Sequence, residues 1–165
     1  MSEKLVIVPR KISGGHKAAT IIFFVLTCLS LVAAMLLAPT LFLIPAIVFG
    51  VLWYVFGFRS YTEYEYTYFD GELRIAKIKN KSRRKKVALV NMDDVLMIAP
   101  KGDRSTYKYE NDKSITFKDA ASGEAGAKVY ELICKGEKGI ARYEIEPDEE
   151  MLDAIMVKYP RTVTK

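Results

Sequence analysis

The chain has 165 residues, 50% of them hydrophobic, with a net charge of +5 and a mean hydropathy of +0.06. Those averages describe a slightly basic soluble domain, but the residues are segregated: 41 consecutive residues, Ala18 to Phe58, contain no Asp, Glu, Lys or Arg, and 33 of them are hydrophobic. This excludes a purely soluble protein, and also a large catalytic core, because the remaining C-terminal stretch of roughly 100 residues makes one modest domain.

In chain order, Leu5-Val6-Ile7-Val8 comes first, apolar and β-branched. It suits either a strand added to a sheet edge or a segment lying on a membrane interface. Residues 1–17 read as a cytoplasmic segment containing Lys4, Arg10, Lys11, His16 and Lys17. Ala18–Leu37 and Leu41–Phe58 each reach the length of about 20 apolar residues that a bilayer core requires. Only Ala38-Pro39-Thr40 separates them, so residues 18–58 are expected to form a tight transmembrane hairpin. The first run is longer than a signal-peptide core and a second follows at once, which argues against cleavage. Basic residues flank both ends of the hairpin and the connecting turn has none. Both termini are therefore expected in the cytoplasm, with two spans in the plasma membrane. Lys17, Trp53, Tyr54, Arg59 and Tyr61 are the expected interface residues. The spans hold no ionisable side chain, which argues against an ion pathway or proton relay. The hairpin reads as an anchor, with Pro45 as a kink point and Ala33, Ala34, Gly50 and Gly57 as points of close helix approach.

Beyond Arg59 the pattern changes to period two. Residues 61–69 alternate, with Tyr64, Tyr66 and Tyr68 on one face and Glu63, Glu65 and Thr67 on the other, as in a half-buried strand. Asp70-Gly71 signals a hairpin. Leu73, Ile75 and Ile78 mark a second strand with one break in phase. Val87–Val90, Val95–Ala99, Ser114–Lys118, Lys128–Cys134 and Ile140–Ile145 complete seven strands. A C-terminal helix is expected after Pro147, taken as its first residue, with Asp148, Glu149 and Glu150 in the first turn. Met151, Leu152, Ile155, Met156 and Tyr159 form its apolar stripe, and Pro160 stops it.

Seven antiparallel strands closed by an amphipathic helix resemble a pleckstrin-homology (PH) fold, here a mainly β (α+β) barrel or sandwich over residues 59–165. The whole layout resembles small bacterial membrane proteins with a two-helix anchor and a bacterial PH-like domain, such as the YcxB-like proteins and related families. The features carrying the resemblance are the anchor, Asp70-Gly71, the basic run Asn80–Lys86 and Asp93-Asp94-Val95. The resemblance implies a bacterial, non-enzymatic module and no particular ligand. Eukaryotic PH domains bind phosphoinositides with a basic motif that spans the first hairpin loop. Here that loop is the two-residue Asp70-Gly71, which argues against that route.

If the strands form a simple meander starting at the membrane, alternate loops face the bilayer. The near loops would be Lys79–Lys86, Lys101–Lys113 and Lys135–Lys138, all net basic. The far loops would be Asp70–Glu72, Asn91–Asp94, Asp119–Gly126 and Glu146–Glu150, all net acidic. Lys79, Lys81, Arg83, Arg84, Lys85 and Lys86 are therefore the expected contacts to anionic lipid, the arginines through paired hydrogen bonds to phosphate. A basic run aimed at a bilayer does not suit nucleic acid, and the tyrosine stripe reads as sheet core.

Catalytic chemistry has little to work with. His16 is alone, Cys28 and Cys134 lie in different regions, and no Gly-rich phosphate loop is present. Asp93-Asp94 and Asp148-Glu149-Glu150 read as a turn and a helix start. No metal or cofactor is expected. The expectation is a non-enzymatic membrane adaptor, seated on anionic lipid, with an acidic far end for a protein partner. The alternative is an accessory subunit of a larger membrane complex, bound through the hairpin, or a chain that pairs with a second copy of itself.

Overall fold

Local chemistry accounts for the first sheet. In the computed structural model, which describes residues 3–58, 61–136 and 139–165, β2 spans Thr62–Phe69 and buries Tyr64, Tyr66 and Tyr68. Asp70 and Gly71 both take positive φ, 45° and 86°, and form the two-residue turn into β3, Glu72–Lys79. β3 buries Leu73, Ile75, Ala76 and Ile78, so the phase break falls at Ile75-Ala76. A second tight turn follows. Asn80 and Lys81 have φ of 51° and 56°, and the Ser82 N–H donates to the Lys79 carbonyl at 3.2 Å. β4 is Arg83–Asn91. The basic run expected as one loop is thus mostly strand: only residues 80–82 turn, and Arg83–Lys86 open β4. Two αL residues suffice to reverse the chain, which leaves the arginines free to pair.

Leu5–Val8 lies in β1, Lys4–Pro9, which joins the sheet edge rather than an interface. β1 pairs antiparallel with β2, Lys4 opposite Tyr68 and Pro9 opposite Glu63. The first sheet, sheet A, has the order β1-β2-β3-β4.

A 3-10 turn, Met92–Asp94, leads into β5, Val95–Pro100. Residues 101–115 then cross to the other edge of a second sheet and carry a one-turn helix, α3, at Tyr107–Glu110. β6 is Thr116–Asp119, β7 Tyr130–Gly136 and β8 Gly139–Ile145. Sheet B has the order β5-β7-β8-β6, and β6 runs parallel to β8. Among the described residues there are eight strands in two four-stranded sheets that do not close into a barrel, in place of the expected seven-stranded meander. The tertiary reason is the crossover. It carries the buried Thr106, and Ala99, Ile133 and Glu131 of β5 and β7 are buried as well, so this face of sheet B is shielded from water.

This topology redistributes the loops. Cys134 lies opposite Val95, so the β7–β8 hairpin tip at Lys135–Gly136 lies at the same end of sheet B as Asp94, not opposite it. Ser122 accepts a backbone hydrogen bond from Lys11 at 2.8 Å, and Asp119 pairs with Arg10 at 2.7 Å. The loop after β6 therefore lies at the end of the sheets where β1 ends and β2 begins. The expected division into acidic far loops and basic near loops does not hold, because β6 points the opposite way to its direction in a meander.

The last element is α4, Glu149–Lys158, capped by Asp148, whose carboxylate accepts from the Met151 N–H at 2.8 Å. Pro147 lies one residue before that cap, outside the helix. A carboxylate satisfies a free amide better than a proline that merely lacks one. Met151, Leu152 and Ile155 are buried in one core with Tyr66, Leu73, Ile98, Leu132 and Ile145. The chain then adds Val163 beside Ile98, with hydrogen bonds of 2.7 and 2.8 Å on either side. This β-unit comprises the residues up to Lys11, Thr62–Ile78 and Arg83–Lys165.

The second unit, Ile12–Tyr61 with Lys79–Ser82, contains the helical hairpin. α1 spans Gly14–Leu36 and α2 spans Pro39–Phe58, with Pro45 inside it. Ser13 caps α1, accepting from the His16 N–H at 3.4 Å. Phe23 meets Phe56 at 5.4 Å and Phe24 meets Trp53 at 5.5 Å, which sets the antiparallel register. Ala34 and Ala46 are buried, and a Cβ on Gly57 would come within 3.3 Å of Thr20. Both helices are long and apolar enough to cross a membrane. Only 6% of each apolar window is buried, unlike the core helices of a soluble protein.

Candidate functional site

The basic run is divided by the fold into places with different chemistry. The turn is the first. Lys79 and Lys81 are exposed, and the Asn80 N–H donates to the Tyr61 carbonyl at 3.0 Å. The Lys81 ammonium lies 5.4 Å from the Tyr61 ring centre. This turn is therefore fastened to Tyr61, just past the hairpin. A lysine in the αL region is strained, and the two-residue turn imposes that conformation.

The first residues of β4 are the second place. Arg83, Arg84, Lys85 and Lys86 are all exposed. Arg84 is already engaged: its guanidinium pairs at 2.6 Å with Glu65, whose side chain is 9% exposed. Of the two arginines expected to grip phosphate, only Arg83 has no ion pair among the described residues. Lys86 belongs to a third place, a cleft between the β4 edge and the β6–β8 side of sheet B, shared with Lys118 and Lys135. The six basic residues thus do not converge on one headgroup-sized site.

Among the expected interface residues, Tyr54 is exposed and stacks on Phe58 at 5.4 Å, while Trp53 packs against Phe24 and, edge-on, against Phe58 at 5.8 Å. Lys17 is exposed within the first turns of α1. Arg59 lies outside the described residues. His16 is in the first turn of α1, its ring 5.4 Å from Phe56.

Sequence reading missed two constellations. The Lys86–Lys118–Lys135 cleft requires β6 to reach the sheet edge, and no local pattern shows that. The other is a buried pair beneath the crossover. Glu131 is fully buried, and Arg142 donates to it at 3.2 Å. Its second oxygen has no hydrogen-bond partner among the described residues. Burial pushes the Glu131 carboxyl up from its ordinary range, and the neighbouring Thr106 hydroxyl and the charge of Arg142 act against that rise. Burial likewise raises the Cys134 thiol to about 11, which keeps it protonated and unreactive near neutrality. Among the described residues, no group of His, Cys, Asp and Glu could hold a metal ion.

The family model of the bacterial PH-like domain DUF6106 matches residues 3–165, so it takes in β1, the helical hairpin and both sheets. The chain belongs to this bacterial PH-like family. A PH-like domain is generally a non-catalytic module. The matched range runs through the hairpin, which in this chain lies between the first and second strands. No curated relative and no solved structure matches the chain.

Proposed function

We propose that this family member is a non-enzymatic, membrane-anchored adaptor whose basic turn rests on anionic lipid. The observation that carries the reading is the pairing of β1 with β2. Pro9, before the hairpin, lies opposite Glu63, after it. One sheet thus ties together the two ends of a hairpin that is long enough to span a bilayer. Such a clasp supports a topology in which both ends of the hairpin emerge on one side of the membrane. The basic flanks of the spans favour the cytoplasmic side.

The turn at Lys79–Ser82 is held to Tyr61, immediately past the hairpin, which supports its proximity to headgroups. Each Lys or Arg near an anionic surface contributes about 1 kcal/mol. Lys79, Lys81, Arg83 and Lys85 are the groups available for this, whereas Arg84 is held by Glu65. The lipid seat is therefore a diffuse orienting contact and not a pocket for one headgroup.

The test uses the full chain in nanodiscs of phosphatidylglycerol or of phosphatidylcholine. Hydrogen exchange at residues 79–85 should slow in the anionic discs and return to the neutral-disc rate in high salt. Replacing Lys79, Lys81, Arg83 and Lys85 by Ala should remove the difference. Equal exchange in both lipids for the unmodified chain would sink the lipid seat.

A further inference from the structure

We infer that the cleft between the β4 and β6 edges binds an extended acidic peptide of a protein partner by strand addition. This deepens the adaptor reading by naming its partner chemistry, and rests on that reading for the existence of a partner.

Sheet A ends at β4 and sheet B ends at β6, each paired along one side only. Unpaired strand edges present rows of free N–H and C=O groups that can template another strand. Here the two edges bound one cleft of about 690 Å³. A side chain bridges it: the Lys118 ammonium on β6 donates to the Val87 carbonyl on β4 at 3.0 Å. The reach of one lysine plus one hydrogen bond is of the order of two inter-strand spacings, about 9–10 Å. One strand laid between the edges would pair with β4 on one side and β6 on the other. It would supply the contact that the open sheets lack.

The cleft also selects for charge. Lys86, Lys118 and Lys135 line it, and the exposed Arg83 and Lys85 continue the same edge. Glu72 and Asp94 also line it. Arg83, Lys85 and Lys86 at the start of an edge strand repel a basic strand and attract an acidic one. The buried Ala88, Ala141 and Tyr143 provide a small apolar floor. Successive side chains of a strand point to opposite faces, so the fitting peptide alternates apolar residues toward this floor with acidic residues toward the lysines.

The experiment uses the full chain in phosphatidylcholine nanodiscs, so that anionic lipid plays no part. The probe is a fluorescent ten-residue peptide of alternating Glu and Val. Controls are the Lys-Val peptide and a Glu-Val peptide methylated on alternate backbone nitrogens, which keeps the charge but removes strand pairing. The Glu-Val peptide should bind. Lys118→Glu with Lys135→Glu should weaken it by at least about tenfold, whereas Lys79→Ala with Lys81→Ala should leave it unchanged. Bound peptide should slow hydrogen exchange along both β4 and β6, a readout that does not depend on any variant folding. Equal binding of the methylated peptide would reduce the effect to charge alone and overturn strand addition. Failure of the Glu-Val peptide to bind would overturn the proposal outright. Displacement of bound peptide by dihexanoyl-phosphatidylglycerol would assign the cleft to a lipid headgroup, which also overturns it. Because no anionic bilayer is present, loss of peptide binding cannot be confused with loss of the lipid seat.

Discussion

Sheet A and sheet B have four strands each and share one core, but they treat the same pair of side chains differently. In sheet A, Glu65 pairs with an Arg84 that is 65% exposed. In sheet B, Glu131 pairs with an Arg142 that is 13% exposed, beneath a crossover that leaves the carboxylate 1% exposed. Sheet A turns between β2, β3 and β4 through loops of two and three residues, Asp70-Gly71 and Asn80–Ser82. Sheet B is connected through residues 101–115, which lie over its face. The energetic weight of an ion pair is therefore set by the connection above it and not by the residues in it.

Removing one partner from each pair is the strongest way to break this comparison. Arg142→Ala strands a buried carboxylate and should cost about 3 kcal/mol or more. Arg84→Ala removes a 65%-exposed side chain and so opens the buried Glu65 to water, and should cost about 1 kcal/mol or less. Urea unfolding of the full chain in neutral detergent measures both. Equal losses would mean that the crossover does not seal the Glu131 pair.

A smaller effect depends on pH. Burial raises the Glu131 carboxyl, so in the window between its unfolded and folded values the native state binds more protons than the unfolded state. Stability from this group therefore falls as pH rises through that window. Relative to Glu131→Gln, the unmodified chain should be more stable at mildly acidic pH than at neutral pH. Urea midpoints for the two proteins at both pH values give the sign, and the opposite trend would refute the assignment.

The smallest effect sharpens the sheet A side. Lys81 occupies φ 56° in the β3–β4 turn. Lys81→Gly relieves that strain and creates the Asn-Gly pair that such turns favour, so it should stabilise the fold by about 0.5 kcal/mol. The thermal midpoint reports it. An unchanged or lower midpoint would show that the Lys81–Tyr61 contact outweighs the strain.

The same division explains which features are legible in the sequence. The two spans, the tyrosine face of β2, the Asp70-Gly71 turn and the α4 stripe are each determined by neighbours within about seven residues. Periodicity exposes such features. The end of the basic loop is hidden because Asn80 and Lys81 reverse the chain with two αL residues, and Lys is an ordinary residue that does not announce that conformation. The placement of β6 beside β8 leaves no local trace. Its alternation is the same whichever strand it pairs with, and the choice depends on what residues 101–115 bury.

The sequence by itself determined the uncharged hairpin, the strand-rich character of residues 62–145 and the closing helix, since each arises from hydrophobic period and turn chemistry. Tertiary structure alone decided that Leu5–Val8 pairs with β2, although the whole hairpin separates the two in sequence. It also split the basic run between a turn, an ion pair and a cleft. These are long-range pairings, settled by the total apolar surface buried when both sheets and α4 share one core.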